Sequence, residues 1–418
     1  MAGFLRTTLG PGLLFAGAAV GVSHLVQSTR AGAEHGVALL LVVIAANVVK
    51  YPAFSFGPRY AAATGTSLLE GYRRRGVWAL ALYGLLTLGT MFTVQAAVTI
   101  VTAAILKALF ELEQSPFELS VGLLLSCAGI LAIGHYRWLD RLMKIVVSAL
   151  TIMTVVATVL VLPRIDWSSS GWLPTGDHWN LLFIAALVGW MPSAIDISVW
   201  HSLWTLAKRR DTKHAPSVRD SMLDFKIGYF GTALLAVCFL LLGAGVVYGT
   251  GATMPGSAGG FANRVIDLYA STLGDWSRPL IGGCALMVMF STTLTVVDGF
   301  PRAIAALIAR FASAEEAGAG EAIGRERASY WLALVVMFAG SVVLLRYFLG
   351  EFTTLIDVAT TISCLTAPLL AMLNHRAIFG AEVDAEHQPG VRMRWFSLVC
   401  IGLLALLAVA WIQGRYMS

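Results

Sequence analysis

The chain has 418 residues, of which 57% are hydrophobic and 13% charged, with a formal net charge of +5. A soluble domain carries about 25% charged residues. This composition therefore excludes a soluble enzyme, and the basic residues lie between long apolar runs, where they act as topology signals and not as a nucleic-acid surface.

A helix that crosses a bilayer needs about 20 apolar residues. Eleven segments qualify: 9–29, 36–58, 79–110, 117–135, 142–162, 180–206, 222–249, 278–298, 328–348, 352–374 and 394–413. The third and sixth are long enough to tilt or to run past the membrane. Residues 299–327 read as a mixed loop, a short amphipathic helix followed by a polar stretch. The opening MAGFLRTTLGPGLLF runs straight into the first span, so no cleavable leader is expected. With the first residue inside, 21 of the 29 Lys and Arg fall in inner segments and 7 in outer ones, and Lys50 lies within the second span. That bias predicts a cytoplasmic N-terminus, an outer C-terminus and a place in the cell (inner) membrane. Cys127, Cys238, Cys284, Cys364 and Cys400 all fall in apolar segments with no CxxC spacing, and they read as free buried thiols.

Two spans carry polar residues where lipid would want none. The first holds AVGVSHLVQS (19–28), with Gly21, Ser23, His24, Gln27 and Ser28. The sixth holds LVGWMPSAIDISVWHSLW (187–204), with Pro192, Ser193, Asp196, Ser198 and His201. Proline removes a backbone donor and clashes with the preceding turn. A carboxylate at bilayer depth is costly unless it is paired or lines a cavity. Two interrupted spans, five apart, are the signature of inverted repeats that build a transport site at mid-membrane. Repeat one is read as about 9–162, repeat two as about 180–374, and 394–413 as an additional helix of a single 1–418 domain. The alternative for Gly17 and Gly21 is a close-packing helix face.

These residues resemble the Nramp divalent-metal transporters. GPGLLFAGAAVGVSHLVQSTRAG (10–32) is similar to the family's first span, which opens GPG and closes on AG. The stretch from ATGTS to LLEGYRRRG is similar to the ATG-x-x-L-x-E segment after span two, and His201-Ser202 to the HS that ends the sixth-span site. The resemblance implies an all-α membrane protein of LeuT type, with 11 transmembrane helices in a 5+5 inverted repeat plus one, and with helices 1 and 6 broken. It also implies departures at the site. Gly21, Val22, Ser23 and His24 stand where the family has Asp-Pro-Gly-Asn. Ala194, Ile195 and Asp196 stand where it has Met-Pro-His, and Met191-Pro192 comes three residues too early. Gln95 and Val98 replace the acids of the third span, and Thr360 matches a polar Gln of the tenth.

The expected binding set is therefore Gly21, Ser23, His24, Gln27, Ala194, Asp196, Ser198 and Thr360, with His24 and Asp196 as metal ligands and Gln95 and His201 in gating or coupling. Imidazole with carboxylate suits Mn, Fe or Zn better than Mg. His24 and Asp196 paired as imidazolium and carboxylate would instead favour a non-metal solute. The leading expectation is a secondary transporter of divalent metal with altered selectivity and without the usual proton coupling, working in the bilayer with a small ion or solute and needing no resident cofactor or nucleic acid. The rivals are a carrier of a small organic solute or anion and a non-transporting membrane sensor. No P-loop, HExxH or Ser-His-Asp arrangement points to an enzyme. Elsewhere, Asp298 reads as a cap for a following short helix and Lys50 as a snorkelling lysine. Asp357 faces either the cavity or a boundary. Glu70 with Arg73–Arg75, and Asp140 and Arg141 with Lys144, read as charged anchors or parts of a gate.

Overall fold

A computed structural model describes residues 10–133, 136–165, 167, 181–212, 216–251, 254–311, 319–348 and 351–417. Among these, all regular structure is helical. The first apolar run forms α1 (Pro11–Ala19), a π-helical stretch at Ser23–Ser28 and α2 (Thr29–His35), with a 46° bend between Pro11–Ala19 and Ser23–His35. There follow α3 (Leu40–Thr64), α4 (Leu68–Arg75), α5 (Val77–Phe110), α6 (Pro116–Ile133) and α7 (Tyr136–Val161). The second half holds α8 (Leu181–Gly189), α9 (Ile197–Thr212), α10 (Val218–Val246), α11 (Ala258–Leu273), α12 (Ser277–Phe311), α13 (Ala319–Tyr347), α14 (Phe352–Ile378) and α15 (Val391–Met417). Eight helices among the described residues are long and apolar enough to cross a membrane, or nine when the bent α1–α2 run counts as one.

α5, α10 and α12 are mostly buried, whereas α6, α13 and α15 are mostly exposed. Leu85, Ile133 and Leu406 present bare apolar side chains at this periphery, as lipid-facing positions should. The five cysteines are free and buried.

Three local expectations need correction. Residues 299–311 are not a separate amphipathic helix, because α12 runs on through Pro301 to Phe311. Only 312–318 of the expected loop lies outside the described residues. Asp298 does not cap a new helix. Its carboxylate receives Arg302 Nε at 2.9 Å and Nη2 at 2.8 Å, one turn on, and the Tyr330 hydroxyl at 3.0 Å. A helix absent from the sequence reading, α11, fills the segment after α10. It starts on Ser257, whose side chain accepts the Gly260 N–H, and it buries Phe261, Val265 and Tyr269. The side chains of Asp140, Arg141 and Lys144 lie outside the described residues.

At the end of the bundle that carries α4, charge is organised into a network. Glu70 accepts Arg73 Nη2 at 2.7 Å and lies 3.1 Å from Arg310 Nε of α12; Arg75 Nη2 meets Glu382 at 2.5 Å. Burial alone would raise the Glu70 carboxyl, but the bond from Arg73, the Arg73 and Arg310 charges and the bond from Arg74 hold it below its ordinary value of 4.5. A carboxyl lowered on folding adds stability above its unfolded pKa, and that stability disappears as pH falls through the folded value. Glu70→Gln should therefore melt below the wild type at pH 7, and the gap should narrow at pH 4. An unchanged gap would remove the carboxylate's charge as the cause.

Candidate functional site

The first break is built by small residues and by one threonine. At Gly21 an added Cβ would stand 2.8 Å from Thr292 Cγ2 and 3.0 Å from its Oγ1, so α12 can approach only because no side chain is present. Thr292 Oγ1 lies within bonding distance of the Gly17 carbonyl (2.9 Å) and the Val20 carbonyl (3.2 Å), two of the acceptors freed where α1 stops. The other end of α1 is held in trans. The buried Asp224 of α10 accepts the Gly12 N–H at 2.6 Å and the Gly10 N–H at 3.1 Å, a carboxylate at a helix N-terminus where the dipole favours it.

The second break is residues 190–196, non-helical between α8 and α9. It contains the cis peptide Met191-Pro192. Its freed carbonyls at Gly189 and Ser193 accept Lys50 Nζ at 2.7 and 3.1 Å. Lys50 is fully buried, so the expectation of a snorkelling side chain is wrong: the stem from α3 ends on protein carbonyls and not at the water interface. The two breaks touch where Ser23 Oγ lies 3.3 Å from the Pro192 carbonyl.

Between them lies a cavity of about 30 Å³, lined by Ala18, Ala19, Val22 and Ser23 at the end of α1 and the first break, by Trp190, Ser193, Ala194 and Asp196 of the second with Ile197 and Trp200 of α9, and by residues of α5 and α12. Asp196 is the only charged residue among them. It is 2% exposed, and neither carboxylate oxygen has a hydrogen-bond partner. Ser23 and Thr292 add hydroxyls and Ser193 and Ala194 add backbone.

The other expected site residues divide clearly. Ser23, Ala194 and Asp196 line the cavity, and Gly21 sits on its edge against Thr292. His24 does not join them. Its ring turns to α10, with Nε2 3.0 Å from the Thr232 carbonyl and Nδ1 2.7 Å from Ser23 Oγ. The carbonyl can only accept, so Nε2 carries the proton, and the one hydroxyl proton of Ser23 serves either Nδ1 or the Ala19 carbonyl, which lies 2.7 Å from the same oxygen. Gln27 donates to Asp357 at 3.1 Å and reaches Thr360 Oγ1 at 3.3 Å, and Arg30 Nη1 bonds the same Asp357 oxygen at 2.8 Å. These four tie the first broken run to α14 at the end opposite Glu70, which places Asp357 at a boundary and not in the cavity. Ser198 Oγ receives Asn374 Nδ2 at 2.7 Å. Gln95 bonds Thr99 within α5, while Val94 and Val98 beside it line the cavity. His201 is buried against Phe15 and Phe225, and neither ring nitrogen is bonded. Sequence reading missed Thr292 and Asp224 and misread Lys50; Lys50 and Asp224 both carried a signal, a charge inside an apolar run, and Thr292 carried none.

The family model for natural resistance-associated macrophage protein-like (Nramp) proteins matches residues 12–413. The chain belongs to the Nramp family. It is 37% identical to an uncharacterized protein of Pasteurella multocida over 405 residues, 95% of this chain and 89% of that one. It is 23% identical to the divalent metal cation transporter MntH of Pediococcus pentosaceus over 315 residues, 70% of this chain and 66% of that one. Its fold matches that of the Eremococcus coleocola manganese transporter with a TM-score of 0.71 at 13% identity, covering 98% of this chain and 87% of that one. This Nramp protein is thus a multi-pass membrane transporter of LeuT-like fold and not an enzyme.

Proposed function

We propose that this Nramp protein carries a hard divalent cation, Mn²⁺ or Mg²⁺, through the cavity between the two breaks. The observation that carries the reading is Asp196: an enclosed carboxylate with both oxygens unpartnered, facing a space lined otherwise by apolar groups, hydroxyls and backbone. A buried charge left unpaired costs several kcal/mol, and a cation arriving beside it offsets that cost. Oxygen donors without imidazole or thioether suit Mg and Mn better than Zn or Cu. His24, turned away to Thr232, supplies no nitrogen here, so the selectivity reading shifts toward harder ions than a His24–Asp196 pair would favour. The cavity of about 30 Å³ has room for an ion with a water or two.

On this reading α1–α2 and α8–α9 are spans one and six of an eleven-span arrangement, with inverted repeats over about 9–162 and 180–374, residues 394–413 as the addition, and the N-terminus in the cytoplasm of the cell membrane. Gln95 and Val98 offer no titratable group beside the cavity, so on this reading transport runs without the proton coupling that acids of the third span would supply. The test is uptake into proteoliposomes. Mn²⁺ and Mg²⁺ should enter in preference to Zn²⁺ and Cu²⁺, and an imposed pH gradient should drive no accumulation. Absence of flux for all four ions, from protein shown to be folded, would overturn the reading; proton-driven accumulation would overturn its uncoupled part.

A further inference from the structure

Lys50 lies outside the cavity's lining yet is enclosed completely, in the middle of α3. Its ammonium has two acceptors, the carbonyls of Gly189 and Ser193, both freed by the interruption between α8 and α9. Asp196 follows Ser193 by three positions on the same non-helical stretch. A group of main-chain carbonyls at a helix break, with a carboxylate nearby, is the kind of environment that strips and holds a small monovalent cation. Here the cation is part of the chain. Its bonds keep the C-terminal end of α8 satisfied while the chain turns away from helical geometry.

We propose that the Lys50 ammonium is a tethered cation that fills a monovalent-ion position behind the second break, so that this transporter needs no dissolved alkali ion there. Lys50 does not itself line the cavity assigned to cargo, although Ser193, one of its two acceptors, does. The proposal therefore does not depend on which ion is carried, and a measurement without any divalent ion tests it.

The experiment compares thermal unfolding of detergent-purified wild type, Lys50→Ala and Lys50→Met in equal concentrations of choline, sodium, potassium and ammonium chloride. A ligand that binds only the folded state raises the melting temperature in proportion to its occupancy. The wild type should melt at one temperature in all four salts. Lys50→Ala should melt lower in choline and recover, saturably, in at least one of the small cations, which can reach the exposed carbonyls. Lys50→Met, whose side chain occupies the space without a charge, should melt low in every salt. A melting temperature of Lys50→Ala that is the same in all four salts, or equal to that of the wild type, overturns the proposal. So does failure to recover folded Lys50→Ala from any of them.

Discussion

Asp196→Asn should abolish divalent-cation uptake by the reconstituted protein while leaving it folded. The substitution keeps the shape and removes the charge. No hydrogen bond is lost, because neither oxygen has a partner, and removing a desolvated charge relieves a cost of burial. Loss of outer partners that only orient a metal ligand costs 10–100-fold in affinity; loss of the sole anionic ligand should cost about 100-fold or more. Uptake of Mn²⁺ at fixed external concentration, with circular dichroism and elution profile as controls, reads the result. His24→Ala supplies the contrast. Its ring faces Thr232 and Ser23, so its loss should lower the melting temperature yet leave uptake selective. Wild-type uptake by Asp196→Asn would move the cargo site away from this cavity, and loss of uptake only in His24→Ala would restore the imidazole as a ligand.

Gly32→Ala should destabilise the fold strongly. A Cβ at Gly32 would stand 1.8 Å from the Leu240 carbonyl oxygen and 2.8 Å from the Ala244 nitrogen, while one at Gly243 would stand 2.3 Å from the Thr29 oxygen. All of these obstacles are main chain, so no side chain can turn aside. α2 and α10 meet backbone to backbone through facing small residues, the way membrane helices gain contact when lipid removes the hydrophobic drive between them. Overpacking costs typically 1–3 kcal/mol, sometimes more, and here a whole helix must retreat. Gly89→Ala, in α5 with nothing within 4 Å of the added carbon, should be neutral or stabilise by about 0.5–1 kcal/mol. The comparison is made by thermal unfolding in one detergent; equal shifts for the two variants would mean that α2 and α10 do not touch in this way.

Ser23, Pro192 and Asp196 could be picked out in advance because lipid makes polarity conspicuous: they stand out of apolar runs, and cavity and main-chain geometry gather them. What could not be read is direction. His24 and Ser23 are neighbours, yet the serine lines the cavity and the histidine turns to α10, a choice set by a π-helical register that no spacing rule announces. Lys50 finds its acceptors about 140 positions away, at Gly189 and Ser193, so periodicity within α3 said nothing about them. Thr292 looks like any threonine of a packed helix until Gly21 lies against it. α11 escaped because a 16-residue helix with a polar face is neither a span nor a loop by composition. α12 runs on past Pro301 to Phe311, where Asp298 suggested the cap of a new short helix.

The bond between Arg30 and Asp357 joins positions 327 apart in the chain, and the Asp357 side chain is 37% exposed. Dissolved ions screen charges that share their water over about 8 Å at physiological ionic strength. Lys50 and Asp196, sealed from solvent, escape that screening. The strength with which α2 is fastened to α14 is therefore partly a property of the medium: brackish surroundings loosen that fastening, dilute ones tighten it, and the interior charges keep their values in both.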